Sequence, residues 1–304
     1  MVKKVKAAAK NTKKSKKVKI ALIGLDTSHA IAFPEIIQER GAKTPLEVIS
    51  CLRFETPFQG KEGLDKRQAI LEGMGVKVTE NFDEAIEGAD ALMLEVNDPA
   101  YHVEYFSRCA KLGLPIFLDK PFADTYVNAL KIDEIARENK VKYFTSSTVR
   151  FVPSFRSVGE NPERPKSAIA LGPMGKAPAG SSIVWYGCHT FEILREAMGP
   201  GAVAVTTINN LDSVVCNVEY ADGRHAVVDL SRAGGRFAMM LHYAKVDKFL
   251  ESESAYPYGV TEFEKFFTGG PAPVSIEESL DIIAMLDAAE RSSVSGRTEV
   301  VYKR

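Results

Sequence analysis

The first half of this chain alternates short apolar runs, rich in β-branched residues, with amphipathic stretches of helical period. This order is typical of a parallel sheet, because parallel neighbours need a long crossover that is usually a helix. Helices are expected at about residues 28–40, 65–73, 82–87, 100–112 and 123–139. Strands are expected at residues 18–23, 46–52, 76–78, 91–96, 115–118 and 142–148. The pattern predicts an α/β fold with a Rossmann-like, doubly wound parallel sheet.

The pattern changes after residue 149. Residues 159–180 are rich in proline and glycine, which predicts a loop-rich connection. Alternating runs at 183–186, 202–208, 213–220, 224–230 and 237–243 predict strands of an open, mainly antiparallel sheet, with helices at 190–198 and 277–293. We therefore expect a nucleotide-binding domain at 18–149 and an α+β domain for substrate binding and oligomerisation at 150–304.

The formal net charge of −1 conceals an uneven distribution of lysines. The first 19 residues hold nine lysines and no acid, so the remaining 30 basic and 40 acidic residues give the rest of the chain a charge of −10. An acidic body argues against nucleic-acid binding as the main function. Residues 1–17 are predicted to be a disordered basic tail, which leaves open non-specific contacts of this tail with nucleic acid or an acidic partner.

Membrane insertion and secretion are not expected. No run approaches the ~20 apolar residues of a membrane span, and the lysine-rich start lacks the apolar core of a signal peptide. The four cysteines, Cys51, Cys109, Cys188 and Cys216, are widely separated and contain no CxxC pair. This spacing is typical of free thiols in a reducing compartment, so a cytoplasmic location is predicted.

The turn after the first strand, Gly24-Leu25-Asp26-Thr27-Ser28-His29, lies where a dinucleotide pyrophosphate binds in doubly wound folds. Of the three glycines in the G-x-G-x-x-G fingerprint, only the first is present. Asp26 occupies the second position, and its carboxylate is a candidate to cap the helix through the N–H groups that a phosphate would use. Two interpretations therefore stay open, namely helix capping by Asp26, Thr27 or Ser28 and a modified cofactor loop.

The second predicted strand ends in Arg53-Phe54 rather than in the acidic residue that binds an adenosine ribose. Arg53 is a candidate for contact with a 2′-phosphate and Phe54 for stacking on adenine. A solvated charge at the strand end is the alternative. The sequence thus predicts NADP or NAD, with a weak preference for NADP.

Two further segments follow predicted strands, and ligands bind at that edge of open α/β sheets. The first contains Asn97, Pro99 and His102, and the second is Asp119-Lys120-Pro121. A lysine before proline has a restricted, extended backbone, so Lys120 is expected to place a fixed ammonium near a substrate oxygen.

With these motifs the chain resembles the glucose–fructose oxidoreductase, inositol dehydrogenase and MocA (Gfo/Idh/MocA) family of NAD(P)-dependent oxidoreductases. Asp119-Lys120-Pro121 is similar to the family's Glu-Lys-Pro, and residues 99–102 are similar to its Pro-x-x-His. Arg150-Phe151-x-Pro153, Gly187-Cys188-His189 and the helix near residues 288–296 resemble later family segments. The resemblance covers residues 18–302.

The resemblance implies hydride transfer between nicotinamide and a hydroxyl of a sugar, polyol or related small molecule. Lys120 and His189 are the implied catalytic residues, and substrate contacts are expected from Lys120, Arg150, Trp185 and His189. A homo-oligomer through the C-terminal sheet is also expected. The expected cofactor contacts are Gly24, Asp26, Thr27, Ser28, Arg53, Asn97, Pro99, His102, Asp119 and Lys120.

Trp185 stands where many family members carry an aspartate, four residues before His189. The missing carboxylate and glycines favour, as an alternative, a drifted, non-catalytic relative that binds or senses a metabolite. No metal site is expected, because the spacing of Asp26, His29 and His102 is not diagnostic of metal coordination.

Overall fold

The computed structural model describes residues 16–231 and 234–303. The predicted disorder of residues 1–17 therefore lies almost wholly outside the described residues. Lys17, which is described, donates a hydrogen bond to the carbonyl oxygen of Gly41. Within the described ranges, no helix combines the length and apolarity that crossing a membrane requires. Each cysteine is a buried free thiol, and the cytoplasmic location stays a prediction.

The first half forms a six-stranded parallel sheet with strand order β3-β2-β1-β4-β5-β6. Its strands are β1 Val18–Ile23, β2 Leu46–Leu52, β3 Lys77–Thr79, β4 Ala91–Leu94, β5 Ile116–Leu118 and β6 Tyr143–Thr145. The crossover helices are α1 His29–Arg40, α2 Lys61–Gly73, α3 Phe82–Ile86, α4 His102–Ala110 and α5 Tyr126–Glu138. Since both faces are covered by helices, the strands are nearly continuous apolar runs. The predicted fold class is confirmed.

The second half is built on a mixed, mainly antiparallel sheet of seven strands in the order β12-β11-β7-β10-β9-β8-β13. Among the described residues of this second sheet, only β7 and β10 pair in parallel. The strands are β7 Ser167–Pro173, β8 Ala202–Asn209, β9 Ser213–Tyr220, β10 His225–Ser231, β11 Ala238–His242, β12 Asp247–Glu251 and β13 Glu299–Val300. The helices are α6 Pro153–Gly159, α7 Ser182–Met198, α8 Tyr256–Phe267 and α9 Ile276–Ser295.

Two local predictions in this half were wrong. Residues 183–186 belong to helix α7 rather than to a strand, and the supposed loop at 159–180 contains strand β7. The Ser181 hydroxyl starts α7 by accepting a hydrogen bond from the backbone N–H of Val184. Because α7 is buried on most of its circumference, its apolar residues do not form the single stripe that would have revealed a helix.

Helix α8 joins the two halves. It follows the second sheet in sequence, yet Val260, Phe263 and Phe266 pack in one apolar cluster with Phe33 of α1 and Phe117 of β5. The first sheet is therefore completed by a helix from the last fifth of the chain. This packing also places the start of α8 beside the start of α1, at the mouth of the cleft described below.

Candidate functional site

The turn between β1 and α1 approaches β4 very closely at Gly24. Gly24 has a φ of +111°, and a Cβ there would lie 2.4 Å from the carbonyl oxygen of Glu95. Both the backbone conformation and the contact require glycine. The first glycine of the fingerprint thus retains its structural function.

Asp26 does not cap helix α1, which corrects the capping interpretation. Its buried carboxylate accepts hydrogen bonds from the backbone N–H of Asn97 at 2.8 Å and from the Thr56 hydroxyl at 2.7 Å. Burial raises the pKa of Asp26, although these two bonds favour its charged form. Asp26 therefore connects the loops after β1, β2 and β4 beneath the cleft.

The N-terminus of α1 faces the cleft, where it is open to an anion. Ser28, the residue before the helix, forms no capping hydrogen bond within the described ranges, and its side chain instead bonds to Tyr256. Thr27 accepts a long hydrogen bond of 3.3 Å from the N–H of His29. Arg67 of α2 reaches the same turn and donates to the carbonyl oxygen of Leu25 at 2.9 Å. A helix N-terminus beside an arginine suits a phosphate group.

The guanidinium of Arg53, predicted to contact a 2′-phosphate, is paired with carboxylates of this chain. Its guanidinium lies 2.9 Å from Asp65 Oδ1 and 3.7 Å from Glu80 Oε1. These carboxylates already pair with Arg53 and would oppose a 2′-phosphate, and the choice between NAD and NADP stays a prediction. Phe54 stacks on Tyr105 with ring centroids 4.3 Å apart, so one face of its ring is already covered.

The loop after β4 contributes one residue to the cleft. Asn97 lines it, and its side-chain oxygen accepts a hydrogen bond of 2.9 Å from Trp185 Nε1. Pro99 and His102 are buried beneath it. His102 Nε2 lies 2.8 Å from the carbonyl oxygen of Val96, so this histidine holds the loop in place rather than contacting a ligand.

Lys120 lies at the cleft with its side chain almost wholly buried. Burial opposes its charged form, but the neighbouring Asp119 carboxylate outweighs this and raises the pKa of Lys120. Asp119 does not line the cleft and pairs with His29. Its Oδ2 atom lies 2.8 Å from His29 Nδ1. Burial favours the neutral carboxyl of Asp119, yet the charges of His29 and Lys120 leave its pKa below the usual range. Lys120 therefore presents a stable positive charge.

His189 lies on α7, one turn after Trp185, so both side chains reach the cleft from the same helix. Its Nδ1 is 2.6 Å from the Ser147 hydroxyl. Burial, followed by the charge of Lys120, lowers the pKa of His189 well below its usual range. The imidazole is therefore neutral near pH 7.

Arg150 lies outside the cleft lining, which corrects the expected substrate contact. Its buried guanidinium pairs with three carboxylates: Glu192 at 2.9 Å, Glu278 at 3.0 Å, and Glu196. These carboxylates accept from three of its five N–H donors. Arg150 connects the entry to the second half with α7 and α9.

The cleft between the two halves has a volume of about 780 Å³, within the usual range of ligand sites. It brings together six of the predicted site residues: Thr27, Ser28, Asn97, Lys120, Trp185 and His189. Gly24, Asp26 and Asp119 support it from below, whereas Arg53, Pro99, His102 and Arg150 do not line it. Four residues for which the sequence predicted no role also contribute to the site: His29, Arg67, Ser147 and Tyr256. Only His29 had a sequence signal, since it lies within the anomalous loop.

Residues 61–147 match the sequence model of GFO_IDH_MocA, described as an oxidoreductase family with an NAD-binding Rossmann fold. No curated protein matches the chain. Solved structures match nearly all of it. Scyllo-inositol dehydrogenase from Lactobacillus casei has a TM-score of 0.78 at 14% identity, covering 94% of this chain and 98% of that one.

A myo-inositol dehydrogenase from Corynebacterium glutamicum has a TM-score of 0.74 at 16% identity, covering 95% of this chain and 100% of that one. GenD2 from gentamicin A biosynthesis, solved in complex with NAD, has a TM-score of 0.78 at 16% identity, covering 98% and 100%. At these identities the structural matches establish the fold. Together with the sequence match, they confirm the resemblance that the motifs indicated.

Proposed function

We propose, from the match of residues 61–147 to the Gfo/Idh/MocA oxidoreductase family and the shared fold, that the chain transfers hydride between a nicotinamide dinucleotide and a hydroxyl-bearing carbon of a sugar, polyol or related molecule. One observation carries the proposal. Lys120 and His189, which arrive from different halves of the chain, line one cleft with the open N-terminus of α1.

The residues of the α1 turn fit a dinucleotide. Gly24 permits the close turn, and the buried Asp26 carboxylate is already bonded to the Asn97 N–H and the Thr56 hydroxyl, so it does not cap the N–H groups of α1. The N–H groups at Thr27 and Ser28, with the positive charge of Arg67, would hold the pyrophosphate. NAD is favoured over NADP because Asp65 and Glu80 surround Arg53.

The bound nicotinamide supplies the hydride acceptor. Lys120 would donate a hydrogen bond to the substrate oxygen and stabilise the negative charge that develops there as hydride leaves the adjacent carbon. His189 would take the hydroxyl proton on Nε2, provided that Nδ1 carries its hydrogen and donates it to Ser147. The carbon is oxidised to a carbonyl, and the proton remains on His189.

Trp185 offers a direct assay of cofactor binding because it is the only tryptophan and lines the cleft. Titration with NADH and NADPH should quench its fluorescence, with NADH binding more tightly. Turnover would then be measured with NAD and a panel of polyols and sugars. Lys120→Met should keep NADH affinity within about threefold but lower kcat at least ~100-fold. The exposed Lys142→Met is the matched control and should retain activity. If neither nucleotide binds below millimolar concentration, the proposal is wrong.

A second candidate function is that of a metabolite-binding relative without a cofactor. It is favoured by Trp185, which stands where many family members carry an aspartate and packs on Phe58 of the loop after β2 with ring centroids 5.3 Å apart, so this part of the cleft offers aromatic rings rather than a carboxylate. This contact connects the two halves beside the cleft. If a polyol binds while both nucleotides fail to bind, this second function replaces the first.

We also propose a homo-oligomer formed through the uncovered face of the second sheet. Ile169 on β7, Val227 on β10, Met240 on β11 and Phe249 on β12 are cross-strand neighbours that form one apolar row. Ile169 is 38% exposed and Phe249 is 58% exposed, and such a row is typical of an interface. Light scattering should give a dimer or larger, and Ile169→Glu should dissociate it. The control Leu211→Glu, in an exposed turn, should leave the oligomer intact. A monomeric wild-type protein would contradict the proposal.

A further inference from the structure

Beneath the β1–α1 turn lies a carboxyl group without a partner. Glu95 follows β4 and is wholly buried. Among the described residues, neither of its side-chain oxygens has a hydrogen-bond partner. Burying a polar group without a hydrogen-bond partner costs free energy. A proton, a water molecule or an ion is therefore expected beside Glu95.

Two other ligand-type side chains surround this carboxyl group. A ring nitrogen of His29, a carboxylate oxygen of Asp119 and an oxygen of Glu95 all lie within 4.8 Å of one another. All three residues are buried, with exposures of 5%, 1% and 0%. They come from the start of α1 and from the ends of β4 and β5, so the parallel sheet brings them together at its carboxyl edge.

The spacing of the three ligand atoms is close to that of ligands around one ion. Ligands about 2.0–2.2 Å from a common metal ion lie roughly 3–4.4 Å apart, so small shifts that separate His29 from Asp119 and bring Glu95 closer would let all three bind one ion. One imidazole and two carboxylates form a mixed nitrogen and oxygen set, which suits Zn²⁺ or Mn²⁺ better than Ca²⁺.

We propose that His29, Glu95 and Asp119 form a binding site for one divalent transition-metal ion, with Zn²⁺ or Mn²⁺ as the fitting ions. The ion would give Glu95 its missing partner and would offset the negative charge of two adjacent carboxylates. Three protein ligands leave a coordination position free. His29 also lines the cleft, so the proposed site lies next to the space where a substrate would bind.

Two features of the cluster oppose metal binding. The Lys120 ammonium neighbours Asp119, and His29 Nδ1 already hydrogen-bonds to Asp119 at 2.8 Å. The ion must therefore share Asp119 with Lys120 and either replace the His29 hydrogen bond or use the other ring nitrogen. The competing explanation is a proton or a trapped water between Glu95 and Asp119.

Metal binding can be measured on the whole chain without cofactor or substrate. After EDTA treatment and dialysis, the protein would be titrated calorimetrically with ZnCl₂ and, separately, with MnCl₂. We expect about one equivalent of at least one ion to bind and to raise the melting temperature. Glu95→Gln and His29→Gln should each weaken binding at least ~10-fold, the lower end of what even outer-shell changes cost.

Glu264→Gln is the matched control, because Glu264 also has a side-chain oxygen without a partner among the described residues. Glu264 pairs with Arg40 at the far end of α1, so the Glu264→Gln substitution should not change metal affinity. Circular dichroism would verify that each variant folds. If the folded wild-type protein binds neither ion below about 100 µM, or if Glu95→Gln binds equally well, the site holds a proton or a water instead. Nucleotide affinity is measured separately, so failure here leaves the oxidoreductase proposal intact.

Discussion

Replacing Asp26 with alanine tests whether this carboxylate connects three loops. Asp26→Ala removes the acceptor for the Asn97 N–H and for the Thr56 hydroxyl. A buried donor left without a partner costs about 1–3 kcal/mol. The Asn97 N–H is fixed by the backbone and should cost near the middle of this range, whereas the Thr56 hydroxyl can rotate and should cost near its lower end. Together they predict a loss of about 2–4 kcal/mol in the free energy of unfolding.

Asp26→Asn is the matched control for that substitution. Its amide oxygen can still accept from the Asn97 N–H, and its NH₂ group can donate to the Thr56 hydroxyl oxygen. We expect this variant to lose less than about 1 kcal/mol. Thr56→Val removes one of the two bonds and also the acceptor of the Phe58 N–H, so it should lose about 1–2 kcal/mol.

Urea unfolding at pH 7 would measure these differences through the transition midpoints at unchanged slope. The expected order of stability places wild type and Asp26→Asn above Thr56→Val, and Asp26→Ala lowest. An Asp26→Ala protein within about 0.5 kcal/mol of wild type would refute the reasoning, because surface changes have effects of that size. Equal losses for Asp26→Ala and Asp26→Asn would show that the charge, rather than the hydrogen bonds, matters.

Three other outcomes follow from the same geometry. Gly24→Ala should destabilise the chain by at least ~2 kcal/mol in urea unfolding, because a Cβ would meet the Glu95 carbonyl oxygen and a positive φ is unfavourable; equal stability would contradict this. His189 is neutral when folded, and its unfolded pKa is about 6.5, so wild-type stability should fall below pH 6.5 by up to about 1.4 kcal/mol per pH unit from this residue alone. His189→Gln should remove that contribution in unfolding curves from pH 5 to 7, and an unchanged pH dependence would contradict it. Trp185→Phe should cost about 1 kcal/mol through the lost bond to Asn97, measured by thermal unfolding, and no change would mean that the bond is not formed in solution.

Local patterns in the sequence were sufficient for the first half of the fold. Strand β1 and helix α1 were predicted nearly to the residue, because a buried parallel strand is a short apolar run and a crossover helix has a period of 3.6. The positions of Lys120 and Asn97 at the sheet edge followed from the same reasoning, since the carboxyl ends of parallel strands meet there.

The same reasoning failed where burial removes the pattern. Helix α7 was divided into a strand and a shorter helix, because most of its residues are buried and its apolar positions show no single stripe. Likewise, no local feature of α8 indicates that its phenylalanines complete the core of the first sheet.

The sequence by itself determined the fold class, the place of the site on the sheet edge and six of the residues that line the cleft. Only the tertiary structure decided which partner each polar side chain meets. Asp26 reaches the Asn97 backbone 71 positions away, and Arg150 is surrounded by glutamates from α7 and α9. His29 and Asp119 pair across 90 positions. The physical reason is that periodicity reports which face of an element is buried, whereas hydrogen bonds and charges depend on which elements are brought together.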